Sequence, residues 1–259
     1  MKIDFSLIIP AFNEAARLGQ TLTEILRYLK NENLQAEILV VDDGSTDNTT
    51  SIAKQTFAKF PDIETKVIRY ERNRGKGFAV KTGLMQATGE IALFSDADLS
   101  TPIEEFPKLI EPIISGKYDV TFGSRALDRS LIKIRQPWRR EQSGKVFNLI
   151  VRTFTNLPFW DTQCGFKAFR MSKFRSILPL MKIERFGFDV EFLYVANYCG
   201  LRLKEIPVRW NHCEGTTVNV FRDSQRMFRE INQIRRNAKC GMYDYQSAAP
   251  SFSPVNVIN

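Results

Sequence analysis

Residues 92 to 98 read Ala-Leu-Phe-Ser-Asp-Ala-Asp, an apolar strand that runs into two carboxylates, Asp96 and Asp98, one residue apart. A central strand can bury aliphatic side chains, but two adjacent anions need a partner. The partner that suits these residue types is a hard divalent cation, Mg2+ or Mn2+. Such an ion takes carboxylate oxygens and keeps positions open for substrate phosphates. The expected site is a metal–diphosphate centre at the C-terminal end of a strand, where open α/β sheets bind ligands. Asp-x-Asp is a short motif that a surface turn also satisfies, so its neighbours must carry the argument.

Two further strand ends point the same way. One is Pro10-Ala11-Phe12-Asn13-Glu14; the other is Val41-Asp42-Asp43-Gly44-Ser45-Thr46-Asp47. In a parallel sheet these ends line one crevice with the 96–98 turn, which gathers Glu14, Asp42, Asp43, Asp96 and Asp98. Like charges so placed repel, and a metal together with donors on a base and a ribose would compensate them. Blander readings stand beside this one. Asp42 to Ser45 also reads as a turn with a helix cap, Asn13-Glu14 as a helix start, and Asp43 as an acid held by backbone N–H groups. The loop Arg72-Asn73-Arg74-Gly75-Lys76-Gly77 precedes a helix. It is able to lie over a diphosphate or to be a solvated turn; it lacks the Lys-Ser/Thr ending of a P-loop.

The elements that must position these groups alternate through the first 125 residues. Aliphatic runs predict strands over 5–9, 36–41, 65–69, 91–94 and 118–122. Helical spacing, as in Leu18, Leu22, Ile25, Leu26 and Leu29, predicts helices over 14–29, 47–60, 77–87 and 103–115, with Asp47 an expected N-cap. This order implies a largely parallel sheet. After Arg125 the pattern changes. Residues 131 to 160 mix Leu131, Ile132, Ile134, Trp138, Phe147, Leu149, Ile150, Phe154, Phe159 and Trp160 with Lys133, Arg135, Arg139, Arg140, Lys145 and Arg152. Residues 166 to 210 return to strand–helix–strand, and 222 to 237 form a basic helix. The expected organisation is one catalytic domain over 1–240, with a nucleotide-binding half (1–125) and an acceptor-side half (126–220). Residues 241–259, rich in Ser, Ala, Pro and Asn, are expected to be a disordered tail.

The 259 residues are 43% hydrophobic and 25% charged, an ordinary globular composition. No run approaches the roughly 18 to 20 unbroken apolar residues of a membrane span, and the N-terminus reads as a strand without a cleavage-site pattern. The four cysteines lack Cys-x-x-Cys spacing and accompany one histidine, His212, which argues against zinc. Reduced cytoplasmic thiols are the expectation. A net charge of +8 favours an anionic partner: nucleotide, phospholipid surface or nucleic acid. Because the aromatics lie among long aliphatics, base-stacking readout of nucleic acid fits poorly.

Six strings in order give a further lead: Ile-Pro-Ala-Phe-Asn-Glu, Val-Asp-Asp-Gly-Ser-Thr-Asp, Arg-Gly-Lys-Gly, Ser-Asp-Ala-Asp-Leu-Ser-Thr-Pro, Phe-Gly-Ser-Arg and Thr-Gln-Cys-Gly-Phe-Lys. Over residues 5 to about 218 the chain resembles family 2 glycosyltransferases of the nucleotide-diphospho-sugar (GT-A) fold. It is most similar to polyprenyl-phosphate glycosyltransferases, the dolichyl-phosphate glucosyl subgroup before the mannosyl one. The resemblance implies an α/β fold with a mostly parallel central sheet and metal-dependent transfer of a hexose, glucose from UDP-glucose, onto a polyprenyl phosphate. It implies that Pro10, Ala11, Phe12 and Glu14 hold the base, that Asp42 meets base or ribose, and that Asp43, Lys76 and Ala97 belong to the donor site. Asp96 and Asp98 would serve ribose, diphosphate and metal, with Ser100 where mannosyl members place a metal-binding glutamine. Arg125, Lys167, Arg139, Ser143 and Thr216 would meet the acceptor phosphate or the diphosphate. In Glu214-Gly215-Thr216 a following lysine of the related string is replaced by Thr217.

A phosphate acceptor, already an oxyanion at neutral pH with a second pKa near 6, needs cations and no base; a hydroxyl acceptor needs one. For the second case Asp189 and Glu191 are the candidates, helix support being their alternative. The 131–160 segment is expected to lie on an anionic membrane surface at the cytoplasmic face, or else to be domain core with a solvated basic face. Three functions are therefore carried forward: the lipid-phosphate enzyme, a same-fold enzyme using GDP-mannose or a glycan hydroxyl, and a non-catalytic nucleotide-sensing α/β module.

Overall fold

The computed structural model describes residues 3–134, 138–213 and 220–244. The chain runs β1 (Phe5–Ala11), α1 (Leu18–Asn31), β2 (Ala36–Asp42), α2 (Thr49–Phe57), β3 (Glu64–Arg69), α3 (Lys76–Gln86), β4 (Ile91–Ser95), α4 (Phe106–Ile114) and β5 (Val120–Ser124). It continues with β6 (Ile132–Ile134), α5 (Trp138–Thr155), β7 (Phe166–Arg170), α6 (Met171–Phe174), α7 (Phe188–Tyr198), β8 (Leu203–Pro207), β9 (Trp210–Asn211) and α8 (Val220–Lys239). Among the described residues seven strands form one sheet in the order β3-β2-β1-β4-β7-β5-β8, and β6 pairs with β9 apart from it. Every pairing in the large sheet is parallel except those of β7, which lies antiparallel between β4 and β5.

The aliphatic runs are continuous because the sheet is covered on both faces. Leu7, Ile9, Ile38 and Val40 point to one layer, where Leu22, Ile25 and Leu26 of α1 and Leu109 and Ile113 of α4 meet them. Ile8, Leu39 and Val41 point to the other, packed with α3, α7 and parts of α5 and α8. The chain steps outward from β1 to β2 and β3, then returns to place β4 on the other side of β1. That reversal opens a crevice at the C-terminal ends of β1 and β4. β7, from the later half of the chain, is hydrogen-bonded inside the sheet of the first, so the two halves share one core.

The segment expected as a tail is part of the fold over residues 241–244. Tyr243 is fully buried, and its hydroxyl donates to Glu191 at 2.7 Å; residues 245–259 lie outside the described residues. Among the described residues no helix is long and apolar enough to cross a membrane.

Candidate functional site

The end of β1 is stitched to the turn after β2. Ala11 C=O accepts from Asp43 N–H at 2.8 Å, Asn13 N–H donates to Ser45 Oγ at 2.9 Å, and Glu14 N–H to Thr49 Oγ1 at 2.9 Å. Asn13 takes a left-handed φ of 55°, and its side chain accepts from Thr46 N–H at 2.8 Å. The cap position of α2 is Asn48 and not Asp47 as expected; Asp47 stands one residue earlier, accepts from Thr49 N–H and Ala15 N–H, and ties the two loops together. These bonds leave Phe12 43% exposed at the mouth of the crevice. Asp42, expected to meet base or ribose, is fully buried, and its oxygens take Ser45 N–H and the Thr50 hydroxyl, so it shapes the turn.

Asp43 accepts from Arg74 N–H and Gly75 N–H, both at 2.8 Å, and so pins the 72–77 loop across the edge of the sheet. Burial lifts its carboxyl above the ordinary value, with those two N–H groups pulling the other way. The loop's glycines face protein. A Cβ on Gly75, whose φ is +116°, would stand 2.6 Å from Glu184 C=O, and one on Gly77 2.5 Å from Phe188 Cβ. Glycine is needed there for close backbone approach. Lys76 between them sends its ammonium to Asp96 Oδ1, 2.5 Å away.

The 96–101 turn is held from several sides. Asp96 N–H donates to Gly165 C=O at 3.1 Å, the Thr21 hydroxyl to Ala97 C=O at 2.7 Å, and Asn211 N–H to Ser100 C=O at 2.8 Å. Leu99 takes a φ of +46°, a strained conformation for this residue type. Asp98 Oδ1 accepts from Ser100 N–H at 2.9 Å, so Ser100 orients Asp98 through its backbone while its nearly buried side chain stays in the turn. Burial raises the Asp96 carboxyl, Lys76 opposes, and Asp98 and Asp189 add to the rise. Burial likewise raises Glu14; Arg17 opposes, and Asp98, Asp96 and Asp47 push further upward. Glu14, Asp96 and Asp98 therefore share one rim.

Among the described residues no three acidic, histidine or cysteine side chains form a ready metal cage. The donor set nevertheless suits Mg2+ or Mn2+: two carboxylates from one turn, with diphosphate oxygens and water completing the shell.

The residues expected to meet an acceptor are arranged differently. Arg125, just past β5, makes a two-pronged contact with Asp161: Nε to Oδ2 at 2.6 Å and Nη2 to Oδ1 at 2.8 Å. Its side chain stays 27% exposed beside Trp210. Burial pushes the Asp161 carboxyl up, but the Arg125 charge and its hydrogen bonds outweigh that and hold it below the ordinary value. Glu205 in β8 fixes the segment, accepting from Ser124 Oγ, Trp160 N–H and Asp161 N–H. Lys167 is fully buried and bonds Asp189 Oδ1 at 2.5 Å and Cys164 C=O at 2.6 Å. It therefore braces the turn behind Asp96 and does not face an acceptor.

The two candidate bases are also committed. Asp189 holds Lys167, and Glu191 accepts from Lys182 N–H, Ile183 N–H and Tyr243 OH. The side chains of Arg139 and Ser143, and Thr216 altogether, lie outside the described residues.

Sequence reasoning gave no role to Asp161, Glu205 or Gly165. Asp161 stands one residue before the Thr-Gln-Cys-Gly string, which was its only signal. Gly165 has a steric reason: a Cβ there would lie 2.1 Å from Asp96 Oδ2. In the 131–160 segment the structure separates two faces. Phe147 and Val151 of α5 are buried, whereas Trp138 is 73% and Leu149 63% exposed, with Val146, Ile134 and Trp160 exposed as well.

Comparison with known proteins places the chain among relatives of one family. Residues 6–178 match the family model described as glycosyl transferase family 2. The chain is 32% identical over 255 residues to a dolichyl-phosphate beta-glucosyltransferase of Dictyostelium discoideum, covering 95% of this chain and 78% of that one. It is 33% identical over 258 residues to the enzyme of that name from Saccharomyces cerevisiae (93% and 77%) and 32% over 241 residues to that of Homo sapiens (89% and 74%). Among solved structures it resembles glucosyl-3-phosphoglycerate synthase from Mycobacterium tuberculosis in complex with Mn2+, UDP-glucose and phosphoglyceric acid. The TM-score is 0.66 at 17% identity, covering 92% of this chain and 80% of that one, a likeness of fold.

Proposed function

The chain belongs to glycosyltransferase family 2, and from that premise we propose that it moves glucose from UDP-glucose onto a dolichyl or related polyprenyl phosphate, with inversion. Membership makes it an enzyme and sets the nucleotide-sensing module aside. The observation that carries the reading is the acidic rim of Glu14, Asp96 and Asp98 with Lys76 beside it, at the crevice where the strand order reverses.

In this reading exposed Phe12 and Glu14 receive the uracil, while Asp42 and Asp43 shape the loops around it. Asp96 and Asp98 would hold the cation beside the diphosphate, and that ion, when bound, would stabilise charge on the leaving group. Lys76 adds a positive charge beside the same diphosphate. An oxygen of the lipid phosphate bonds to C1 of the sugar, the C1–O bond to UDP breaks, and its electron pair leaves on UDP. In-line attack turns an α-linked donor into a β-linked product. Arg125, partly exposed and pre-oriented by Asp161, supplies the planar fork that suits a phosphate. Such an acceptor brings its own negative charge. The engagement of both Asp189 and Glu191 within the fold favours it over a hydroxyl acceptor, which would need one of them as a base. The exposed apolar face of α5, with Lys133 and Lys145 nearby, suits a lipid headgroup layer and would bring Arg125 to the phosphate.

The test is transfer itself. Incubated with Mn2+ or Mg2+, labelled UDP-glucose or GDP-mannose and a polyprenyl phosphate, the protein should carry labelled glucose into the organic phase. Mannose moving in its place would overturn the donor assignment. Transfer to a free polyprenol, but not to its phosphate, would overturn the acceptor.

A further inference from the structure

Lys76 opens α3, and its ammonium reaches Asp96 Oδ1 at 2.5 Å. Both partners are fixed. The backbone before Lys76 is pinned by Gly75 N–H on Asp43, and the rings of Phe94 and Phe188 stand 6.0 and 5.9 Å from the ammonium. Asp96 is bonded through its N–H to Gly165 and is backed so closely by Gly165 that no side chain fits between. Asp98 and Glu14 add negative charge on the same rim. A divalent cation that takes Asp96 meets this ammonium as a like charge at contact range, where repulsion is large. A nucleoside diphosphate removes the conflict, because its oxygens give both cations an anion to share.

We propose that Lys76 is a counter-cation that couples the two ligands: it opposes metal binding to Asp96 until a diphosphate arrives to accept the ammonium, so that cation and nucleotide load together. This rests on reading the rim as a metal–diphosphate site and adds an order of assembly to it. It also explains why the rim carries a lysine where acids alone would collect metal without substrate.

The experiment is a Mn2+ titration of the intact protein, with bound ion read from the loss of the free-ion electron paramagnetic resonance signal, with and without UDP. Coupling is reciprocal, so calorimetry of UDP with and without Mn2+ gives the same factor. In the wild type UDP should tighten Mn2+ binding by about tenfold or more. Lys76→Gln keeps an N–H donor for Asp96 and removes the charge. It should bind Mn2+ several-fold more tightly than the wild type when UDP is absent and lose most of the UDP enhancement. Lys76→Met, whose thioether suits the slot between the two rings, gives the same readout should the glutamine variant not fold, and Lys76→Arg should retain the wild-type dependence. An unchanged enhancement in the charge-free variants, or weaker Mn2+ binding by them without UDP, overturns the role given to Lys76 and leaves the metal–diphosphate reading intact. Failure of the wild type to bind Mn2+ under either condition overturns that reading instead.

Discussion

On the donor side of the crevice Glu14, Asp96 and Asp98 crowd one rim, and burial together with mutual repulsion raises Glu14 and Asp96. Across it, on the acceptor side, Arg125 has Asp161 and Lys167 has Asp189 at contact distance, and the Asp161 carboxyl is lowered. The donor rim sets three carboxylates against two contact cations, Lys76 on Asp96 and Arg17 on Glu14, so a net negative charge remains that a divalent ion would relieve, while the other side is neutralised pair by pair. Charge that is uncompensated in the fold is where a ligand is expected to bring the complement. Charge that is compensated is scaffold unless part of it stays open, as the Arg125 guanidinium does and the Lys167 ammonium does not.

The largest test of this contrast is Asp98→Asn. It removes an anion from the crowded rim without touching a buried pair, so transfer should fall by about a thousandfold or more with little change in melting temperature. Undiminished turnover would break the donor half of the comparison. Gly165→Ala comes next. Its Cβ has nowhere to go except into the Asp96 carboxylate, and a displacement of that group by an ångström should cost about a hundredfold in kcat/KM. An alanine variant with wild-type kinetics would mean that the placement of Asp96 does not matter.

Arg125 and Lys167 then separate the two kinds of cation on the acceptor side. Arg125→Lys keeps the charge and loses the fork, so KM for the lipid phosphate should rise about tenfold while UDP binding holds. Lys167→Met leaves Asp189 buried without its partner, which costs about 3–5 kcal/mol of stability. Its melting temperature should drop, with transfer and donor hydrolysis falling in parallel. A selective rise in acceptor KM for Lys167→Met, with stability unchanged, would return Lys167 to the role the sequence suggested.

That contrast also marks how far the sequence could be read. β1, β2 and β4 are legible within a residue or two because burial on both faces writes unbroken aliphatic runs, and the acids past their ends are legible because carboxylates stand where each run stops: Glu14, Asp42-Asp43, and Asp96 with Asp98. The direction of β7 is not legible, since a short strand such as Phe-Lys-Ala-Phe-Arg has the same pattern either way up. Lys167 illustrates a second limit: a lysine within a strand advertises its charge, and only the fold shows that Asp189 lies against it. Gly75 and Gly77 illustrate a third. A glycine-rich loop before a helix reads either as a phosphate cover or as a solvated turn, and neither reading shows that the missing side chains make room for the 183–188 segment. What sequence conveys well is where charge must be; who meets it is a property of elements that come together from distant parts of the chain.

The smallest expected effect is the response to acid, and it runs in opposite senses on the two sides. Glu14 and Asp43 are held above their ordinary values, chiefly by burial. As pH falls through those raised values they take up protons while the protein stays folded; protonation returns the stability that their ionised forms cost. Asp161 is held below its ordinary value, so its pairing with Arg125 contributes stability that is complete above the ordinary carboxylate range and is lost only as pH falls through the lowered one. Binding of UDP-glucose with Mn2+ should therefore weaken first, by roughly two- to fivefold as pH falls into the raised carboxylate range. Glu14 loses its charge toward the base, and Asp43 loosens its hold on the loop that carries Lys76. The melting temperature should not fall over the same interval. UDP-glucose is the right probe, because its diphosphate, esterified at both ends, has no proton to gain there. A melting temperature that falls in step with donor affinity would mean that the acids of both sides titrate together, and the electrostatic contrast between them would be lost.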